Sequence, residues 1–235
     1  PYGEVRQKCA IPVAGMPLIA HSVGEVRACG VEDVRIVTGH RAASVRGAFA
    51  HVDPAPAIFS QPRNAPGTAP AVMAALDGDS PPVCLVVYGD VLVGQQDIDA
   101  VLAPVVHAEA QASALVTELG GEDAADWLGA EIHGHIVQRI EGHPRGGRYR
   151  LAGVYAFRGD LLRYVRDNPG IVSSVPVGGM PPVEGELAQS VELMIEAGVE
   201  VAAVVAQGPA VDVDKPWHIL DANRAAIDMR FARTE

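Results

Sequence analysis

The stretch from Val83 to Asp90, Val-Cys-Leu-Val-Val-Tyr-Gly-Asp, sets the strongest limit on how this chain can fold. Its first six residues are nearly all apolar, and three of them are Val. A run that short and that rich in β-branched side chains reads as a strand buried on both faces rather than as a helix. It ends in Gly89 and Asp90. In open parallel sheets a ligand sits outside the carboxyl ends of the strands, so an acid emerging there points at a crevice. Asp90 is thus the first candidate metal ligand, although Gly-Asp is also an ordinary turn that simply stops a strand.

Segments on either side alternate in kind. After Gly15-Met16-Pro17, the residues Leu18, Ile19, Ser22, Val23 and Val26 recur at helical spacing, and Gly30 ends the helix. Residues 31–37 predict a strand closing at Thr38-Gly39, residues 42–49 a helix, and residues 57–60 a short strand that delivers Gln61 to the loop 62–68. Thr68 can N-cap a helix over 69–76 with Pro70 in its first turn, and a Gly-Thr at a helix start leaves backbone N–H groups free for a ligand.

Beyond the 83–88 strand, helices are expected over 96–107, 160–165 and 186–197 and from Pro216. Strands are expected over 113–118, 131–139, 151–157, 199–205 and 211–214, with a break near Gly153. Residues 141–148 read as an exposed turn, and the Gly- and Pro-rich excursion over 168–182 is a candidate mobile loop or homo-oligomer contact. This β-α-β order with short connections is the signature of an α/β fold with a doubly wound, mostly parallel sheet. No linker divides it, so a single domain over residues 1–235 is expected.

Composition narrows the partners. At 235 residues and 49% hydrophobic the chain can fill one large core. A net charge of −11 argues against a nucleic-acid partner, because phosphate backbones are bound by surplus Lys and Arg. Of the 18 basic residues two are lysines, Lys8 and Lys215, and their rarity makes both positions worth following. Cys9, Cys29 and Cys84 have no metal-ligand spacing and read as reduced thiols of a cytoplasmic protein. No apolar run approaches the roughly 20 residues that span a bilayer, so no membrane partner is expected.

Two acids stand at the ends of apolar segments far apart in sequence, Asp90 and Asp212. Bare carboxylates about 4 Å apart would repel by about 4 kcal/mol at an effective dielectric of about 20, so their convergence would demand a shared proton or a cation. Mg²⁺ prefers one or two carboxylates together with waters and substrate phosphates, which makes two Asp and a nucleotide a sensible shell. Asp214, closer to Pro216, reads instead as an acid that complements the dipole of the last helix.

The order of short motifs then resembles a known family. Residues 8–19 read KCAIPVAGMPLI and residues 34–41 read VRIVTGHR. They are followed by Gly67-Thr68-Ala69, Tyr88-Gly89-Asp90, Ala152-Gly153-Val154-Tyr155, and Val211-Asp212-Val213 ahead of Pro216-Trp217. Taken in sequence, these resemble the sugar-1-phosphate nucleotidyltransferases, a Rossmann-like family that couples a nucleoside triphosphate to a sugar 1-phosphate and releases pyrophosphate. The resemblance implies that Asp90 and Asp212 hold Mg²⁺ and that Lys8 contacts phosphate. It implies that Gln61, Gly67 and Thr68 meet the base, that Gly89 lies against the nucleoside, and that Gly129, Glu141 and Gly153 line the sugar pocket.

Three departures from the family pattern matter. The family's first strand and its Gly-rich GxGxR loop would lie immediately before Pro1, and the fragment without them is expected to be inactive or badly impaired. At the family's Glu-Lys-Pro turn the chain has Glu141-Gly142-His143-Pro144, leaving Arg145 or Arg148 to meet the sugar phosphate. Leu151 stands where many members carry a sugar-binding Asn. Three alternatives remain open: a cytidylyltransferase acting on a non-sugar phosphate such as phosphocholine, a glycosyltransferase using Asp212-Val213-Asp214 as a metal motif, and a catalytically inactive nucleotide-sugar-binding or regulatory subunit.

Overall fold

Local sequence chemistry sets the first elements of the computed structural model, which describes residues 7–50, 52–62, 64–142, 146–170 and 184–232. A 3-10 turn at Lys8–Ala10 leads to two short strands, β1 (Pro12–Val13) and β2 (Met16–Pro17). They pair antiparallel around Ala14 and Gly15, both with positive φ. Helix α1 (Leu18–Ala28) follows as its spacing predicts and buries Leu18, Ile19, Val23 and Val26. Strands β3 (Arg35–Thr38) and β4 (Ala57–Ser60) flank α2 (Ala42–Ala48) and pair in parallel. Then come α3 (Thr68–Leu76), β5 (Val83–Val87), β6 (Val91–Val93) and α4 (Gln95–Val106).

The second half contains β7 (Ala112–Glu118), β8 (Leu128–His133), β9 (Ile136–Gly142), β10 (Tyr149–Arg158), α5 (Leu162–Arg166) and α6 (Leu187–Glu196). After these come β11 (Val201–Val205), β12 (Ala210–Asp212) and α7 (His218–Ala232). The main sheet has the order β5-β10-β7-β11-β9-β8, and β8 also returns to pair with β10. The ten-residue β10, buried throughout from Arg150 to Phe157, is its centre.

This sheet corrects the expectation of a doubly wound, mostly parallel arrangement. Within it the β7–β11 pair is parallel, whereas β10 runs antiparallel to β5, β7 and β8. Pairs β8–β9 and β9–β11 are antiparallel too. A hairpin imposes part of this: the strand expected over 131–139 is two strands turning at Gly134, whose φ of 62° suits a tight reversal. The α/β order survives, and among the described residues the parallel geometry is confined to β3–β4 and β7–β11.

Strand β5 also differs from its expected burial. All five of its residues are half-buried, and among the described residues it pairs with β10 alone. Its second edge looks across a largely apolar cavity of about 1170 Å³ toward β3. Strand β6, not anticipated between Asp90 and the next helix, is the fully buried element here, with Val91, Leu92 and Val93 all at 1% exposure or less. Among the described residues no helix is long and apolar enough to cross a membrane.

Candidate active site

The end of β5 is a reversal. The Val91 N–H donates to the Tyr88 carbonyl, and the chain turns at Gly89-Asp90 into β6. Because β6 pairs antiparallel with β12, Asp212 lies opposite Val91, and the Val213 N–H donates to the Asp90 carbonyl at 2.9 Å. Two acids separated by more than half the chain thereby become neighbours lining one cavity. Burial, and then the charge of Asp90, push the Asp212 carboxyl up to about 6, while Lys8 and Arg150 pull it down.

Lys8 completes the cluster. Its Nζ lies 3.0 Å from Asp90 Oδ2 and 3.1 Å from Asp214 Oδ1. Burial works against the ammonium charge, yet Asp90 and Asp214 outweigh it and raise the Lys8 pKa above its ordinary value. Asp214, expected to serve the dipole of the last helix, instead directs its carboxylate to Lys8, and that helix starts at His218, two residues after Pro216. The second lysine, Lys215, pairs with Asp126. Trp127, next in sequence, lies under the Arg150 guanidinium at 4.1 Å and stacks on the His218 ring. Arg150 is itself buried and paired with Glu122 at 2.8 Å.

On the other flank, Thr68 does not cap its own helix. Gly67 is the N-cap of α3 and the cap lacks a side-chain hydrogen bond. The Thr68 hydroxyl accepts the Leu187 N–H at 2.7 Å, donates to Glu186 Oε2 at 3.0 Å and receives the Tyr88 hydroxyl at 3.3 Å. It therefore satisfies an orphan N–H at the start of α6, one helix away in space and far along the chain. Gly67 (φ 113°) is required by close approach, since a Cβ there would meet the Gly185 carbonyl oxygen. Gln61 donates to the Gly67 carbonyl at 2.8 Å and holds the 61–67 loop closed.

The remaining expected residues divide. Gly89 lines the same cavity as Asp90 and packs on Ile19 and Cys9, and Gly153 lines it with its Cα against the Tyr88 ring. Gly129 and Glu141 face each other across the β8–β9 pair, where Glu141 forms an ion pair with Arg139 at 2.8 Å; neither lines the cavity that holds the acids. Nor do Gln61 and Gly67. Arg148 is paired with Glu118 at 2.8 Å, and Arg145, like residues 171–182 of the expected excursion, lies outside the described residues.

Sequence reasoning missed the parts played by Asp214, Lys215, Tyr88 and Glu186. Lysine scarcity pointed to Lys215, and Tyr88 and Asp214 stood inside quoted motifs, but nothing local marks Glu186. Among the described residues no group of three or more His, Cys, Asp or Glu side chains is arranged to hold a metal by itself. The carboxylates of Asp90 and Asp212 are hard oxygen donors, the kind a small divalent cation takes together with waters or phosphate oxygens.

Comparison with known proteins gives the family and the fold. A family model for the MobA-like NTP transferase domain matches residues 2–167. The bifunctional sugar-1-phosphate nucleotidylyltransferase/acetyltransferase of Sulfurisphaera tokodaii is 23% identical over 230 residues, covering 97% of this chain and 52% of that protein. The bifunctional protein GlmU of Cupriavidus taiwanensis is 39% identical over 134 residues, covering 55% of this chain and 28% of that protein. The chain thus spans about half the length of the first of these and less of the second. A structure of UDP-glucose pyrophosphorylase from Acinetobacter baumannii superposes with a TM-score of 0.77 at 17% identity, covering 100% of this chain and 93% of that one, which fixes the nucleotidyltransferase fold.

Proposed function

The chain belongs to the MobA-like NTP transferase family, and from that premise we propose that it transfers a nucleoside monophosphate from a nucleoside triphosphate to a sugar 1-phosphate. In this reaction a phosphate oxygen of the sugar 1-phosphate attacks the α-phosphorus, the bond from that phosphorus to the bridging oxygen breaks, and pyrophosphate leaves with a nucleotide sugar as product. The observation that carries the proposal is the convergence of Lys8, Asp90 and Asp212 at the carboxyl end of β5.

Such a displacement calls for alignment and charge neutralisation rather than a protein nucleophile. Asp90 and Asp212 would hold Mg²⁺, which when bound neutralises charge on the triphosphate. Lys8 leaves its carboxylate partners for a phosphate oxygen. Gly89 lets the nucleoside lie flat against the β5 turn, and the loop carrying Gln61, Gly67 and Thr68 meets the base through its backbone, since the Gln61 amide and Thr68 hydroxyl already have partners. Gly153, beside Tyr88, floors the sugar pocket, and Gly129 and Glu141, outside the cavity that holds the acids, would meet the sugar only on its far side. The same proposal treats residues 1–235 as one catalytic domain and places it in the cytoplasm, where its three free thiols stay reduced.

The test is to supply the full-length protein with Mg²⁺, each nucleoside triphosphate and a panel of sugar 1-phosphates together with phosphocholine, and to follow pyrophosphate. Release with a sugar 1-phosphate supports the proposal. Release with phosphocholine alone replaces the acceptor, and nucleotide binding without any release replaces the enzyme with a binding subunit. Asp90→Asn should abolish turnover with the fold intact; a near-normal rate removes Asp90 from the site.

A further inference from the structure

Asp212 lies on a strand too short to hold itself in place. Strand β12 has three residues and, among the described residues, pairs with β6 alone. A two-stranded ribbon of that size is marginal in water. Alternation turns Val211 and Val213 to an apolar core with Leu18, Leu92 and Ala222, which leaves Asp212 on the cavity side. That packing fixes the face, but a metal-ligating carboxylate must be held to within about 0.5 Å by further contacts.

One group of stacked side chains supplies those contacts at both ends of β12. At its start, Arg150 Nη2 donates to the Ala210 carbonyl at 3.3 Å while Nε bonds to Glu122 at 2.8 Å. Just past its end, the N–H groups of Asp214 and Lys215 donate to His218 Nδ1 at 3.3 and 3.2 Å, so the ring proton is on Nε2. Trp127 joins the two: the Arg150 guanidinium is 4.1 Å from its ring centre, and the His218 ring stacks on it at 5.9 Å and 25°. The loop that presents Trp127 is itself fixed. Asp123 accepts the Ala125 N–H at 3.0 Å and opens the 3-10 turn Ala124–Asp126, whose Asp126 pairs with Lys215.

Both polar ends of the stack are buried, Arg150 at 5% exposure and His218 at 9%. A buried Arg–Glu pair gains little over well-packed apolar side chains of the same volume, so stability alone does not account for it. What an apolar side chain lacks is the ability to lie against an indole and bond a strand carbonyl at once. We infer that Arg150, Trp127 and His218 are positioning residues that fix the Asp212 carboxylate against Asp90, an inference resting on the reading of both acids as Mg²⁺ ligands. The joint they protect is the 2.9 Å hydrogen bond from the Val213 N–H, one residue past Asp212, to the Asp90 carbonyl.

Three variants of the full-length protein test this. His218→Phe keeps a ring on Trp127 and removes the acceptor, His218→Asn restores an acceptor, and Trp127→Leu breaks the stack. By NMR-detected amide exchange, Val213 should exchange at least about tenfold faster in His218→Phe and Trp127→Leu than in the parent, with Val116 of β7 unchanged and His218→Asn close to the parent. Mn²⁺ affinity, read by electron paramagnetic resonance, should fall about tenfold in the same two variants. Their kcat for pyrophosphate release should fall while KM for the sugar 1-phosphate stays within about twofold. Parental Val213 exchange in either variant overturns the inference, and so does equally faster exchange of Val116, which marks a loss of global stability. Faster Val213 exchange with unchanged Mn²⁺ affinity overturns it too, because the stack then serves the fold alone. A parent that releases no pyrophosphate with any acceptor defeats the proposed reaction instead, while amide exchange and Mn²⁺ affinity still decide the stack.

Discussion

Lys8 Nζ sits 3.0 Å from the Asp90 carboxylate and 3.1 Å from that of Asp214, so the cation nearest the acids belongs to the chain itself. A divalent ion approaching Asp90 must compete with that ammonium, and a triphosphate that draws Lys8 away removes the competitor. Lys8→Met is expected to bind Mn²⁺ several-fold more tightly than the parent without nucleotide and to lose most of its turnover. Titration by electron paramagnetic resonance reads the first effect and pyrophosphate release the second. A variant with weaker Mn²⁺ binding contradicts the competition.

Asp212 gives a pH signature. Its carboxyl is pushed up to about 6, chiefly by burial, against an ordinary value of 3.8. A group that holds its proton more tightly when folded favours the fold below its unfolded pKa, and that advantage is lost as pH rises through the folded value. Between about pH 4 and pH 6 the parent should therefore lose stability relative to Asp212→Asn. Above pH 7 the Asn variant should be more stable by on the order of 3 kcal/mol, and below pH 4 the two should converge. Urea unfolding across pH checks this, and the opposite trend contradicts it.

Thr68 offers a test of long-range capping. Thr68→Val keeps shape but leaves the Leu187 N–H and the Glu186 carboxylate short of a partner, which should cost about 1–3 kcal/mol. Thr68→Ser keeps the hydroxyl and should cost well under half of that. Denaturant midpoints separate the two, and equal losses would point to the methyl group rather than the hydrogen bonds.

Gly153 and Gly134 form a matched pair. Both have positive φ, 70° and 62°, but a Cβ on Gly153 would lie 3.0 Å from the Tyr88 ring, whereas one on Gly134 meets nothing within 4 Å. Gly134→Ala should cost about 1–2 kcal/mol from backbone strain alone. Gly153→Ala should cost more and, by moving Tyr88 at the cavity wall, also raise KM. Equal thermal shifts with unchanged KM would show that Tyr88 yields without consequence.

Local pattern made much of this molecule legible. Helix α1, strand β4 and helix α6 fall within two residues of their expected bounds, because each announces itself by spacing and a nearby Gly, Pro or polar cap. The proximity of Asp90 and Asp212 could be argued from two apolar segments ending in acids. What escaped depends on partners far away in sequence. The burial of β5 depends on its neighbours, and among the described residues it pairs along one edge alone. The Thr68 hydroxyl had an obvious local job at its own helix and took a distant one at α6. Asp214 likewise went to Lys8, and Gly134 split an apparently continuous strand because its turn needs positive φ.

Both lysines of the chain end on carboxylates beside the same cavity, Lys8 on Asp90 and Asp214, and Lys215 on Asp126. An acylating reagent that seeks primary amines therefore has two side-chain addresses beside the cleft, joined through Asp214. Mass spectrometry of the modified peptides then reports, lysine by lysine, which of them a bound substrate covers, with no engineered label.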